Sequence, residues 1–310
     1  MISKEAMQIV TLYQDWVARQ TGELTIQGVR DIFAEWHTLT AEPAGVAYRE
    51  VELGAARAMW ILPDARDDGK VLLCSHGGGY VGGSMHVHAK FFGHVAKAVG
   101  CRALSVDYRL APEFPHPAPV EDMTAAYRWL IAEQGYSPSD IALIGDSAGG
   151  ALALTNIANV RNKGLPLPAA TVSISPWACK DTSSPSYETN LDNDVLTKRE
   201  LSSWLADIVI GKDGDWRDPL INPLYIDYAG FPPIYLQVGG YEAILNDSTR
   251  IADRAQQAGV TVALDVVPGM QHCFQLMAGH APEADSAIAR IAAWVRPLLH
   301  IETTTALESS

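Results

Sequence analysis

Apolar residues along the chain fall into two alternating patterns. Short runs of four to eight apolar positions bounded by turn residues predict buried strands. They lie at Gly45–Leu53, Arg57–Leu62, Val71–Cys74, Ala103–Val106, Asp140–Ile144, Ala170–Ser175, Pro233–Val238 and Val260–Val267. Between several of them the apolar period lengthens to three or four, which predicts helices. Such helices are expected around Val120–Glu133 after the proline-rich Pro112–Pro119, from Ala151 onward, and at Ala287–Leu299. Strands alternating with helices predict an α/β fold, a mostly parallel sheet covered on both faces.

Two regions break the alternation. Residues 1–45 read as helices, with Ile9, Tyr13, Trp16 and Val17 on one stripe and Ile32, Phe33 and Trp36 on another. Between Lys180 and Pro223 strands stop; Ser183–Ser186 reads as loop, and Lys198–Ile210 as a helix with Leu201, Trp204, Leu205 and Ile208 on one face. This insertion reads as a cap segment that excludes water and shapes a pocket. The expected organisation is N-terminal helices over 1–45, one α/β domain over 46–300 with an insertion at about 180–223, and a flexible polar tail over 301–310, with Leu307-Glu308 as a cloning scar.

The chemistry centres on Gly145-Asp146-Ser147-Ala148-Gly149, a G-x-S-x-G pattern between a buried strand and a helix. A serine at such a turn projects its hydroxyl out of the fold, and the flanking glycines leave room for the bend. Short Gly/Ser patterns also arise in ordinary turns, so the reading requires partners. His76-Gly77-Gly78-Gly79 follows a strand and can present backbone N–H groups to a developing oxyanion. With the residue after the serine, the expected donors are Gly78, Gly79 and Ala148. A phosphate loop is excluded by the lack of a following Lys-Ser/Thr.

His272, on the loop after the last strand, is the expected general base. The acid should precede it after a late strand, and two candidates qualify. Glu242 lies just past the strand end, where catalytic loops sit, and is the expected acid; Asp247, one turn into the next helix, is the alternative. Arg109 reads as a brace behind the elbow, paired with Glu113 or Asp146, rather than as a substrate clamp.

These segments together resemble the hormone-sensitive-lipase-like branch of the α/β-hydrolases, the bacterial family IV esterases. The resemblance rests on His76–Tyr80 (HGGGY), Asp107–Glu113 (DYRLAPE), Gly145–Gly150 (GDSAGG), Glu242-x-x-Leu245-x-Asp247 and Gly269–Phe274, in the family order. It implies an α/β-hydrolase fold with an eight-stranded sheet and a helical cap, and hydrolysis of short-to-medium acyl esters without a cofactor. It also implies that residues 1–45 form half of the cap and that the oxyanion glycines are Gly78 and Gly79. Many members carry an aspartate in a D-P-L segment where this chain has Glu242-Ala243-Ile244. Members often pair through the sheet edge, so a homodimer is compatible with the resemblance.

The expected function is therefore a serine carboxylesterase working through an acyl-enzyme on a small-molecule ester. A lactone, an acetylated metabolite or an aryl amide would suit the same triad, because pocket shape selects the substrate. A ligand receptor of the same fold, like the plant gibberellin receptors, lacks the histidine that this chain has at 272.

Charge narrows the partners. With 23 basic and 36 acidic residues the net charge is −13, which argues against nucleic acid and anionic membrane surfaces. No run of eighteen apolar residues occurs, and Met1–Ala6 lacks a signal-peptide core, so a cytoplasmic protein without a membrane span is expected. Cys74, Cys101, Cys179 and Cys273 form no C-x-x-C pair and read as reduced structural thiols; His86, His88 and His94 lack an H-E-x-x-H pattern, so no metal site is expected.

Overall fold

A computed structural model describes residues 2–20, 22–54, 56–211 and 213–302. Of the tail expected over 301–310, residues 303–310 lie outside the described residues. Eight strands build one sheet: β1 (Val46–Leu53), β2 (Ala56–Pro63), β3 (Asp67–Ser75), β4 (Cys101–Asp107), β5 (Ile141–Asp146), β6 (Ala170–Ile174), β7 (Ile234–Gly239) and β8 (Val262–Val267). Their spatial order is β1-β2-β4-β3-β5-β6-β7-β8. The β1–β2 and β2–β4 pairs are antiparallel, and every pair from β4 to β8 is parallel. This is the expected mostly parallel α/β sheet, and β3, β5, β7 and β8 all end at the same edge of it, where the candidate residues cluster.

The central strands read as unbroken apolar runs because both faces are covered: every residue of β5, β6 and β7 is buried. One apolar layer packs around α4 (Ala118–Ala132), α5 (Ala148–Asn162) and α8 (Leu245–Gln257). The other packs around α3 (Ala89–Val99) and α9 (Pro282–Leu298), with α1 (Lys4–Arg19) resting on it. The helix α3 went unread in the sequence, although Phe91, Phe92, Val95, Ala96 and Val99 fill one face of it. The closing helix starts at Pro282, five residues before the expected Ala287, because Pro at its first turn needs no backbone donor.

Before the sheet come α1, α2 (Ile26–Glu35) and a short 3-10 turn at Trp36–Thr38. Ser3 and Thr25 cap the two helices, each hydroxyl accepting a backbone N–H three residues on. Between β6 and β7 lie α6 (Ser186–Thr189) and α7 (Arg199–Ile210). Ser186, expected in a loop, instead opens α6, and its hydroxyl donates to the Ala243 carbonyl at 2.6 Å. No helix among the described residues is long and apolar enough to cross a membrane.

Candidate active site

Ser147 stands between β5 and α5 with φ +55° and ψ −123°, a backbone conformation that side chains disfavour. The turn is enforced by close packing. A Cβ on Gly145 would lie 2.2 Å from the Gly149 carbonyl, and one on Gly149 would lie 2.1 Å from that of Ser75. Only glycine fits at either position, which is why the serine is flanked as it is. The strained backbone is held by the Ser147 N–H donating to Ile174 at 2.8 Å and by its carbonyl accepting from Ala151 at 3.0 Å.

The Ser147 hydroxyl lies 2.9 Å from Nε2 of His272. Nδ1 of that imidazole lies 2.8 Å from Oε2 of Glu242. Oε1 of Glu242 accepts the Ser175 hydroxyl at 2.6 Å and the Gly239 N–H at 2.5 Å. The three residues expected to work together are thus joined in one hydrogen-bonded line, each nearly closed to solvent. Burial opposes the charged imidazolium of His272, but the carboxylates of Glu242, Asp194 and Asp146 outweigh it and hold its pKa above the ordinary 6.5. Burial likewise pushes the Glu242 carboxyl up, while His272, Ser175 and the Gly239 N–H draw it back.

Asp247, the alternative acid, points elsewhere. Its carboxylate accepts the Ala178 N–H at 3.0 Å and the Ser184 hydroxyl at 3.1 Å, so it ties the inserted segment to α8. Burial lifts its pKa to about 7.

Beside the serine, the glycine loop runs through Gly78 at φ +118° and Gly79 at φ +60°. A Cβ on Gly78 would lie 2.3 Å from the Gly82 carbonyl. The N–H groups of Gly78, Gly79 and Ala148 donate to no acceptor among the described residues, which leaves them available to a ligand oxygen. The loop is braced from below by a buried polar network that sequence reasoning missed. The carboxylate of Asp146 accepts the Gly77 N–H at 3.1 Å and lies 3.3 Å from Nε2 of His88. Burial pushes the Asp146 carboxyl up, but His88, His76 and His272 prevail and keep it below its ordinary value. His76 stacks on Tyr108 with centroids 4.2 Å apart, and burial beside His88 lowers its pKa to about 4. The position of Asp146 next to the serine and of His76 at the head of the glycines was the available signal.

Arg109 serves as a brace, but not with the expected partners. Its guanidinium grips Asp122 on α4, while Glu113 pairs with Arg30 of α2 and Asp146 with His88. Asp122 is thirteen residues on, brought back by the second turn of α4. Cys273 is buried, with its sulfur 3.4 Å from Nε2 of His272.

Above the serine opens a cavity of about 480 Å³ including its mouth. Phe33 and Trp36 wall it from the N-terminal segment, Leu201 and Leu205 from α7, and Trp177 and Ile244 from the sheet edge. The lining is almost wholly apolar apart from the Ser147 and His272 end.

A parallel-stranded sheet with a strained serine after its fifth strand, facing a histidine after its eighth, defines a hydrolase of α/β architecture. Comparison with known proteins agrees. A profile described as "alpha/beta hydrolase fold" matches residues 72–276. An acetyl-hydrolase of Streptomyces hygroscopicus is 36% identical over 279 residues, covering 84% of this chain and 92% of that protein. Among solved structures, an esterase from the bacterial hormone-sensitive lipase family superposes with a TM-score of 0.91 at 39% identity, covering 96% of this chain and 99% of the other. A structure of EstE5 soaked with p-nitrophenyl butyrate gives 0.89 at 30% identity, with the same coverage. The chain belongs to the α/β-hydrolase family, on its bacterial hormone-sensitive-lipase-like esterase branch, and is an ester hydrolase.

Proposed function

We propose that this enzyme hydrolyses short-to-medium acyl esters through an acyl-enzyme on Ser147. The unbroken line from the Ser147 hydroxyl through His272 to Glu242, beside three unengaged backbone N–H groups, carries the reading. His272 takes the Ser147 proton as the oxygen attacks the ester carbonyl. Gly78, Gly79 and Ala148 stabilise the tetrahedral oxyanion, each such donor typically contributing about 2.7–4 kcal/mol to barrier lowering. Glu242 keeps the imidazole in the tautomer with its free nitrogen toward the serine and stabilises the imidazolium that follows. The proton then passes to the leaving alcohol, and water activated by His272 releases the acid.

The apolar cavity supports a short acyl chain. Each methylene buried there gains about 0.8 kcal/mol, roughly fourfold in kcat/KM, until the chain meets the aromatic wall. On a panel of p-nitrophenyl esters we expect kcat/KM to rise from acetate to a maximum at about four to six carbons and to fall steeply beyond. Turnover of lactones or amides with no acyl ester accepted would refute the proposal. A deacetylase of a small metabolite is the second reading, supported by the relative named an acetyl-hydrolase. It predicts acetate as the best chain.

A further inference from the structure

The N-terminal segment touches the catalytic loop as well as the pocket. Three donors from this segment reach carbonyls of the chain that follows β8. The Tyr13 hydroxyl donates to the His272 carbonyl at 2.8 Å, the Thr40 hydroxyl to Leu276 at 2.5 Å, and the Ala41 N–H to Ala278 at 3.0 Å. The first of these falls on the histidine of the triad itself. Tyr13 is fully buried, packed against Trp16 and Trp36. Its helix is pinned in place at its start, where the N–H and hydroxyl of Ser3 donate to the Glu283 carboxylate of α9 at 2.6 and 2.7 Å.

The contact has no substitute. Among the described residues no other protein donor reaches the His272 carbonyl. The next residue, Cys273, is in a left-handed conformation at φ +51° and caps a short 3-10 turn at Phe274–Met277, so His272 itself lies in the bend between β8 and that turn, outside any helix or strand. A buried carbonyl that loses its donor drives the loop to rotate until another is found. Rotation there swings the imidazole off the line between Ser147 and Glu242. A displacement of about 1 Å at such a site typically lowers the rate by about a hundredfold.

We infer that Tyr13 is a positioning residue: its hydroxyl, through the His272 carbonyl, sets the imidazole over Ser147 and makes the first helix part of the catalytic apparatus. The inference rests on the triad reading of the preceding subsection. It also links substrate and chemistry, because α2 and the turn after it, bonded to α1 through Trp16 and Glu35, carry the Phe33 and Trp36 wall of the cavity. Burial holds the Tyr13 hydroxyl protonated far above its ordinary titration range, so it donates at every working pH.

Tyr13→Phe removes one oxygen and keeps the packing. The expected result is a kcat about tenfold below wild type with KM within about twofold. The pH profile separates positioning from mere structure. His272 faces the carboxylates of Glu242 after β7, Asp194 of the inserted segment and Asp146 of β5, together with the Cys273 thiol and Tyr13 itself. These carboxylates raise its pKa against burial, so the acid limb of kcat/KM in wild type lies above 6.5. Loosening the Glu242 contact leaves burial in control, so the limb in Tyr13→Phe moves to lower pH. Met7→Ala, at an exposed position of the same helix, should change neither quantity. A folded Tyr13→Phe with wild-type kcat and acid limb overturns the inference. If that variant does not fold, 3-fluorotyrosine at position 13 decides. Its fluorine resonance should shift when a phosphonate modifies Ser147, and an unmoved resonance counts against the coupling. An inactive Ser147→Ala beside an unaffected Tyr13→Phe would remove the positioning role alone, whereas an active Ser147→Ala would remove the triad reading beneath it.

Discussion

Ser147→Ala is expected to lower kcat on a short p-nitrophenyl ester by about 10⁴- to 10⁶-fold, with KM little changed. At 1.36 kcal/mol per decade this is about 5–8 kcal/mol of lost transition-state stabilisation. The variant keeps the oxyanion donors and the cavity, so a small residual rate over water should survive. The Cys273 thiol, though 3.4 Å from the same imidazole nitrogen, should not replace the hydroxyl, because burial holds it protonated well above its ordinary titration range. Ser147→Gly carries a second signature. At φ +55° glycine relieves the strain that serine bears, so this variant should be equally inactive yet about 1 kcal/mol more stable. Kinetics and thermal denaturation on the two variants check both statements. Most activity surviving in Ser147→Ala would end the serine mechanism.

Glu242→Ala should lower kcat by about 10³- to 10⁴-fold, because the imidazole loses both its tautomer and its counter-charge. Asp247→Ala should behave differently. It removes the acceptor of the Ala178 N–H and the Ser184 hydroxyl, so it should cost about 1–3 kcal/mol of stability. Its kcat should stay within about tenfold of wild type, since Asp247 makes no hydrogen bond to His272. The pH dependence of stability also separates them. The Asp247 carboxyl is raised from 3.8 to about 7, so its ionisation is disfavoured in the fold and this site loses stability as pH rises across that interval. Asp247→Asn should flatten that decline. A larger activity loss at Asp247 than at Glu242 would reverse the assignment of the acid.

Much of this architecture was legible because its signals are local. β5, β6 and β7 are buried on both faces and therefore stand out as continuous apolar runs. Ser147 sits at a bend only glycines allow, so its surroundings mark it. His272 and Glu242 follow strand ends, where a parallel sheet gathers its loops. What escaped reading depends on chain segments meeting across long separations. The His88–Asp146 contact joins residues 58 apart, and Tyr13 reaches His272 across 259. Neither residue type at those positions announces a partner. Arg109 was legible as a brace because a cation behind an elbow needs an anion, but Asp122 became its partner only through the angle at which α4 leaves the proline-rich loop. The helix α3 was within reach, since Phe91, Phe92, Val95 and Val99 carry the helical period. The histidines at 86, 88 and 94 were read only as lacking a metal-binding pattern, and the apolar period between them was passed over.

The central claim is that one hydroxyl, made nucleophilic by one imidazole, does the chemistry. Reaction with a fluorophosphonate, followed by peptide mapping with mass spectrometry, tests it most directly. The account predicts a single adduct on Ser147 in the wild-type enzyme and labelling slowed by orders of magnitude in His272→Ala. An adduct on another residue, or undiminished labelling of Ser147 without the imidazole, would contradict it.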